Sequence, residues 1–229
     1  MGRIHVIDVD SAEVKPGDRN SIGGWPLLEA DQPWPACGCG QRMVLYFQVQ
    51  VPADIPVFGG DQLLIFQCPV ESDCPWFTGE QLPEKFWDEL DGRRPFWRIL
   101  LQRNGVPAEA PDPFLTPTAL SLSPTTDTDD DDVDDDRPYY GFKIGGAPHW
   151  FQGPESHRCA CGTDLAFLAQ IPENFSFYDF KVADEDDDSD DDDSYPAALD
   201  DGLFVGNQVY ILACPSRCNP AAAWPICQN

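Results

Sequence analysis

Apolar residues along this chain come in short blocks, either alternating with polar ones or running together for six to nine positions. Arg3–Val9 sets Ile4, Val6 and Val9 among polar neighbours, which predicts a strand. Met43–Val51 and Gln62–Cys68 are strand-length apolar runs, read as strands, with Gly59-Gly60-Asp61 as a hairpin turn between them. Phe96–Gln102, Leu165–Ile171 and Leu203–Cys214 supply further strands or hairpins. The one predicted helix is short and spans Leu82–Leu90, where Pro83 takes the first helical position and Phe86, Trp87 and Leu90 form an apolar face. The loop aromatics Phe175, Phe177, Tyr178 and Phe180 are read as core rather than as a ligand platform.

The same words occur twice. Ile22-Gly-Gly-Trp-Pro26, Cys37-Gly-Cys-Gly40 and Gln48-Val49 return as Ile144-Gly-Gly-Ala-Pro148, Cys159-Ala-Cys-Gly162 and Gln170-Ile171, each displaced by 122 residues. The correspondence continues at a changed offset. Leu64-Ile-Phe-Gln-Cys-Pro69 matches Tyr210-Ile-Leu-Ala-Cys-Pro215, and Trp97–Gln102 matches Trp224–Gln228 with one residue fewer. A constant displacement over this length predicts a tandem duplication. The fold class expected is α+β, mainly β, from two similar β-rich halves packed together. The first repeat covers 1–103, a Pro/Asp-rich linker covers 104–138, and the second repeat covers 139–229 with an acidic insertion at 184–193.

Charge alters this picture only locally. The chain of 229 residues carries 40 acidic and 14 basic side chains, a net charge of −26. Residues 127–136 hold 8 of the acidic ones and 184–193 hold 9, so the remainder is at −9. Such an excess repels phosphates and argues against direct nucleic-acid binding, while it suits a basic protein partner. Solubility alone is the alternative role for each run. No apolar stretch approaches a membrane span, and no signal peptide is apparent, so a cytoplasmic location is expected.

Eight of the nine cysteines fall into two quartets, Cys37, Cys39, Cys68, Cys74 and Cys159, Cys161, Cys214, Cys218. Four soft thiolates suit tetrahedral zinc in a closed, structural site. The turn spacing is C-x-C rather than the usual C-x-x-C, and the alternative is a set of buried or free thiols. His157, two residues before Cys159, is a substitute ligand, and Cys227 stands outside the repeat as a core thiol. No nucleophile elbow, phosphate loop or H-E-x-x-H motif occurs, and a pairing such as Cys161 with His149 carries little weight among so many thiols. No enzyme is expected. A thiol-dependent enzyme would require one hyper-reactive cysteine.

On Gly145-Gly-Ala-Pro-His-Trp150, Cys161-Gly162, Phe167-Leu-Ala-Gln-Ile171 and the ending Trp224-Pro-Ile-Cys-Gln228, the chain resembles the YwqG-like family of bacterial domains. The same superfamily includes relatives of the programmed-cell-death protein 2 type, which act as chaperones for a ribosomal protein. The resemblance runs over about 22–102 and 143–228, and departs from the family in its C-x-C spacing and its two Asp-rich insertions. It implies a mainly β fold, no catalysis and a protein-binding role, chaperone-like or toxin-neutralising as for an immunity protein. The expected partner is then a basic protein, either a toxin or a ribosomal-protein-like client. The alternative is a zinc-stabilised structural adaptor whose acidic runs serve only solubility.

Overall fold

Ten strands form one continuous sheet, and its two outer strands come back to meet each other. The computed structural model describes residues 2–77, 79–88, 94–126, 141–182 and 202–229, and both acidic runs fall outside them. The strands are β1 (Arg3–Asp10), β2 (Ser21–Ile22), β3 (Leu27–Leu28), β4 (Val44–Gln50), β5 (Gln62–Gln67), β6 (Trp97–Gln102), β7 (Val106–Pro107), β8 (Thr118–Thr126), β9 (Lys143–Gly145), β10 (Ala166–Ile171), β11 (Gln208–Ala213) and β12 (Ala223–Gln228). The sheet order is β12-β11-β10-β9-β1-β8-β2-β4-β5-β6, and β3 pairs with β7 apart from it.

That order is symmetric about the β1–β8 pair, and so is the register. Ser21 pairs with Gln48 as Lys143 pairs with Gln170, each 122 residues on. Both β4–β5 and β10–β11 break register at one equivalent position, Tyr46 and Leu168. Gln62 opposite Gln102 is repeated by Gln208 opposite Gln228. The last strands are therefore equal in length, and the residue in the place of Trp97 is Ala223, with Trp224 one step on. Each half is a four-stranded antiparallel meander.

The halves exchange their leading strands. β1 precedes the first meander in sequence yet pairs with β9 of the second, while β8 pairs with β2 of the first. Buried glutamines fix the loops to this frame. Gln48 Oε1 accepts the Leu27 amide at 3.0 Å, and Gln170 Oε1 accepts the His149 amide at 3.1 Å, again 122 residues apart. One hydrophobic cluster runs through both halves, with Phe47 against Phe142 at 5.1 Å and Tyr46 against Phe177 at 4.6 Å between ring centroids.

A seam between β6 and β12 makes the sheet a nearly closed barrel. The Leu101 amide donates to the Pro220 carbonyl at 2.8 Å, and Trp87 Nε1 donates to the Ala223 carbonyl at 2.9 Å. Behind them Trp87, Trp97 and Trp224 form a buried triad, with centroids 5.1–5.7 Å apart.

Three expectations change. The fold is mostly β rather than α+β: the described helices are 3-10 turns at Tyr178–Phe180 and Leu203–Gly206. Leu82–Asp88 forms turns, not a helix, because Phe86 (φ 42°) and Trp87 (φ 72°) leave the helical region as Trp87 is drawn into the seam; 89–93 lie outside the described residues. The 104–138 segment is no plain linker, since it supplies β7 and the central strand β8. Its prolines mask the alternation around Leu120, which is buried, and Leu122, which packs partly against the core. Pro124 is tolerated because β2 pairs only with Thr118 and Ala119, so among the described residues that flank of β8 has no ladder partner there. Of the loop aromatics, Phe177 is fully buried and Phe175 and Phe180 pack partly on the core, while Tyr178 is 64% exposed.

Candidate metal centres

Each Cys-x-Cys-Gly segment forms a tight knuckle. The Gly40 amide donates to the Cys37 carbonyl at 3.0 Å, and the Cys37 amide donates to that of Gln41 at 2.9 Å. In the second half Gly162 donates to Cys159 at 2.8 Å and Cys159 to Thr163 at 2.7 Å. The turns require φ of +91° at Gly40 and +88° at Gly162, which glycine adopts without a Cβ penalty. A further cysteine stands just past the neighbouring strand. Cys68 follows β5, its amide bonded to the Phe96 carbonyl at 2.6 Å, and Cys214 follows β11, its amide bonded to that of Ala222 at 2.9 Å.

In the second half this brings four sulfurs together. Cys159, Cys161, Cys214 and Cys218 have their Sγ atoms all within 4.8 Å of one another. Individual separations are 3.3 Å for Cys159–Cys218, 3.6 Å for Cys161–Cys214 and 3.7 Å for Cys214–Cys218. A tetrahedral zinc site with Zn–S near 2.3 Å has S···S edges of about 3.8 Å. The separations approach that value and far exceed a disulfide's ~2.05 Å. This cluster could hold a metal ion.

In the first half the structure assembles three sulfurs. Cys37, Cys39 and Cys68 lie within 4.8 Å of one another, with Cys39–Cys68 at 3.6 Å. Cys74, expected as the fourth, is placed elsewhere: Asn207 Nδ2 donates to its Sγ at 3.1 Å. Its thiol partner is Cys227 of β12, and that contact holds Cys74 below the ordinary thiol range while it pushes Cys227 well above. His157 is not a ligand in this arrangement, for its ring packs against Trp224 at 5.8 Å and its Nδ1 lies 3.3 Å from the Gly79 carbonyl. His149 sits 3.5 Å from the buried Lys143 Nζ.

The electrostatics of the sulfurs fit a cation. Burial pushes the Cys37, Cys68 and Cys159 thiols up, and Cys218 to about 11. The outer cysteines go the other way. The Thr163 hydroxyl and amide lower Cys161 to about 6, and the Gln41 amide lowers Cys39. Each knuckle thus joins an exposed sulfur readily ionised to a buried one that resists charge unless a cation compensates it.

Sequence reasoning missed two buried single-copy carboxylates. Asp61 is buried and holds Arg103 Nε at 2.5 Å and Arg217 Nε at 2.7 Å; Arg217 lies between Cys214 and Cys218. These three residues help line a cavity of about 240 Å³ at the seam. Asp112 is buried beneath the first Gly-Gly segment, its amide donating to the Gly24 carbonyl at 2.7 Å. Neither recurs between the halves, so repetition gave no signal for them.

Fold and site together define a mostly β, nearly closed barrel with two cysteine clusters able to take metal. Against known proteins, no family model matches the chain and no curated protein sequence is similar to it. Among the described residues no helix is long and apolar enough to cross a membrane.

Proposed function

We propose that the chain is a zinc-stabilised, non-enzymatic binding scaffold, built from two duplicated halves, that captures a basic protein partner through its acid-rich segments. The observation that carries this is the distribution of charge. Of 40 acidic side chains, 17 lie in two runs, and both runs are inserted between fixed points of the fold. One is bounded by Thr126 at the end of β8 and Lys143 at the start of β9; the other lies between Val182, whose amide is tied to the Phe114 carbonyl at 3.0 Å, and the Leu203–Gly206 turn. Dense carboxylates steer Lys/Arg-rich surfaces and speed encounter, more so at low salt.

The common register of the two meanders supports duplication. The cluster geometry supports zinc as a structural ion, a role that replaces part of the core in loop-rich proteins. The YwqG-like resemblance, with its chaperone-like or immunity-type roles, agrees with a protein partner and a cytoplasmic setting.

The test is affinity capture by the full chain from native extract at low and high salt, beside a variant with every Asp of 127–136 and 184–193 changed to Asn and Glu185 to Gln. The expected outcome is one stoichiometric basic protein, released by salt and lost with the variant. Equal capture by the variant would overturn steering by the acidic runs. Absence of any salt-sensitive partner would overturn the binding reading.

A further inference from the structure

The two cysteine clusters occupy equivalent places yet differ in one corner. Counting by the 146-residue displacement that relates β5 to β11, the first-half position matching Cys218 is Ser72. Its hydroxyl is already engaged, accepting Gln67 Nε2 at 3.3 Å. Cys74, two residues on, turns to Asn207 and Cys227 instead. Three sulfurs therefore converge where the second half has four.

The trio is otherwise prepared for a metal. The Val70 and Glu71 amides point at Cys68 Sγ at 3.4 and 3.3 Å, a pattern that stabilises a thiolate. Cys37 and Cys68 are buried, whereas Cys39 is exposed, so the cluster opens to solvent on the Cys39 side. Among the described residues three protein ligands converge, and three around a four-coordinate ion leave one position for a ligand from outside, whereas a site closed by four does not.

We infer that the first-half cluster is an open three-thiolate metal site whose fourth position takes an exogenous neutral donor, water at rest and an imidazole-type nitrogen when one is offered. This rests on the reading of both clusters as metal centres. The donor class follows from charge. Three thiolates on a divalent ion leave a net negative centre, and Glu71, whose amide meets Cys68 Sγ at 3.3 Å, adds an acidic residue on the same turn, so a neutral donor is favoured over a fourth anion. In the second half Arg217 stands within the Cys214–Cys218 loop, where four thiolates leave a larger negative charge.

Cobalt(II), which reports its ligands in its visible spectrum, tests this in the full chain. Two cobalt ions are expected per chain. Adding imidazole should shift the bands of one of them with both ions retained. Cys39→Ser should lose one cobalt and the whole response, and Cys161→Ser should keep the response. Both positions are exposed, and retention of the other site's spectrum reports that each variant is folded. Two bound cobalt ions with no imidazole response would overturn the inference while leaving the metal reading intact. A silent wild type beside a responsive Cys74→Ser variant would overturn it too, by showing that Cys74 closes the site. A single cobalt, bound by the second-half quartet, would overturn the metal reading of the trio itself.

Discussion

Asp61 Oδ2 accepts a hydrogen bond from Arg217 Nε at 2.7 Å across 156 residues of sequence. Asp61 closes the β4–β5 connection, and its side chain is 1% exposed. Its other oxygen takes Arg103 Nε at 2.5 Å, so one carboxylate joins the end of β6 to the loop carrying Cys214 and Cys218. Arg217 reaches it from a positive φ of 50° and also donates to the Val57 carbonyl. The second-half cysteine cluster is thereby keyed to the first half of the chain across the seam.

Asp61→Asn should weaken both charged hydrogen bonds and cost about 2–3 kcal/mol. Arg217→Ala should cost about half as much, because Arg103 still compensates the carboxylate and both arginines are partly solvated. Urea denaturation with unchanged m-values checks this. Equal losses for the two variants would be inconsistent with a carboxylate shared between two arginines.

Metal removal should both loosen the fold and expose thiols. Seven of nine cysteines belong to the clusters, leaving Cys74 and Cys227. In metal-loaded protein at most these two should react promptly with a thiol reagent. After chelation all nine should react, and the thermal midpoint should fall. Prompt reaction of more than two thiols before chelation would show that at least one cluster is not metal-protected.

Much of this site was legible because the two halves share one register and repeat the residues that the frame requires. The Gly-Gly-x-Pro segments, the buried glutamines Gln48 and Gln170, and the knuckle cysteines all recur at 122 residues; each glutamine accepts a loop amide, and each knuckle brings two sulfurs into a cluster. The reading failed where the halves differ. Beyond Cys68 and Cys214 the next cysteine comes six residues on in one half and four in the other, and this mismatch is where Cys74 leaves the cluster. The exchange of β1 and β8 was hidden for other reasons: the alternation of β1 shows that it can pair but not with which strand, and β8 lay inside the segment read as a linker. Trp87 was legible as apolar, yet a period suited to a helix gave no sign of a seam 136 residues away at Ala223.

The first glycine of each Gly-Gly-x-Pro segment should tolerate substitution less well than the knuckle glycine Gly40. Gly23 has φ of +57°, and a Cβ there would lie 2.8 Å from the Leu115 carbonyl oxygen. At Gly145, with φ of +82°, it would meet Ile55 Cδ1 at 2.6 Å and the Arg3 carbonyl oxygen at 2.9 Å. Gly40 has φ of +91° but no atom within 4 Å of such a Cβ. Gly40→Ala should therefore cost only the backbone term, about 1–2 kcal/mol. Gly23→Ala and Gly145→Ala should add crowding and reach about 2–4 kcal/mol. Chemical denaturation of the three variants decides it, and a cost at Gly40 matching the other two would refute the close-approach argument.

Asp112 should give stability a pH dependence opposite in sign to that of a salt-bridged carboxylate. Its Oδ2 accepts the Leu45 amide at 2.8 Å, and its Oδ1 accepts those of Phe114 and Leu115 at 2.8 and 2.9 Å. Burial nevertheless outweighs these bonds and raises its pKa from 3.8 to about 6. Between those values the folded chain holds a proton that the unfolded chain has released, so the Asp112 contribution declines as pH rises through that window. Asp112→Asn removes the titration and turns an amide group toward the Leu45 N–H, costing about 1–3 kcal/mol. Taking the difference between the two proteins isolates the contribution of this one site. The wild type should therefore exceed the variant by more at pH 4.5 than at pH 7 in urea denaturation. A margin that instead widened toward pH 7 would mean that the three amides, not burial, set the protonation of Asp112.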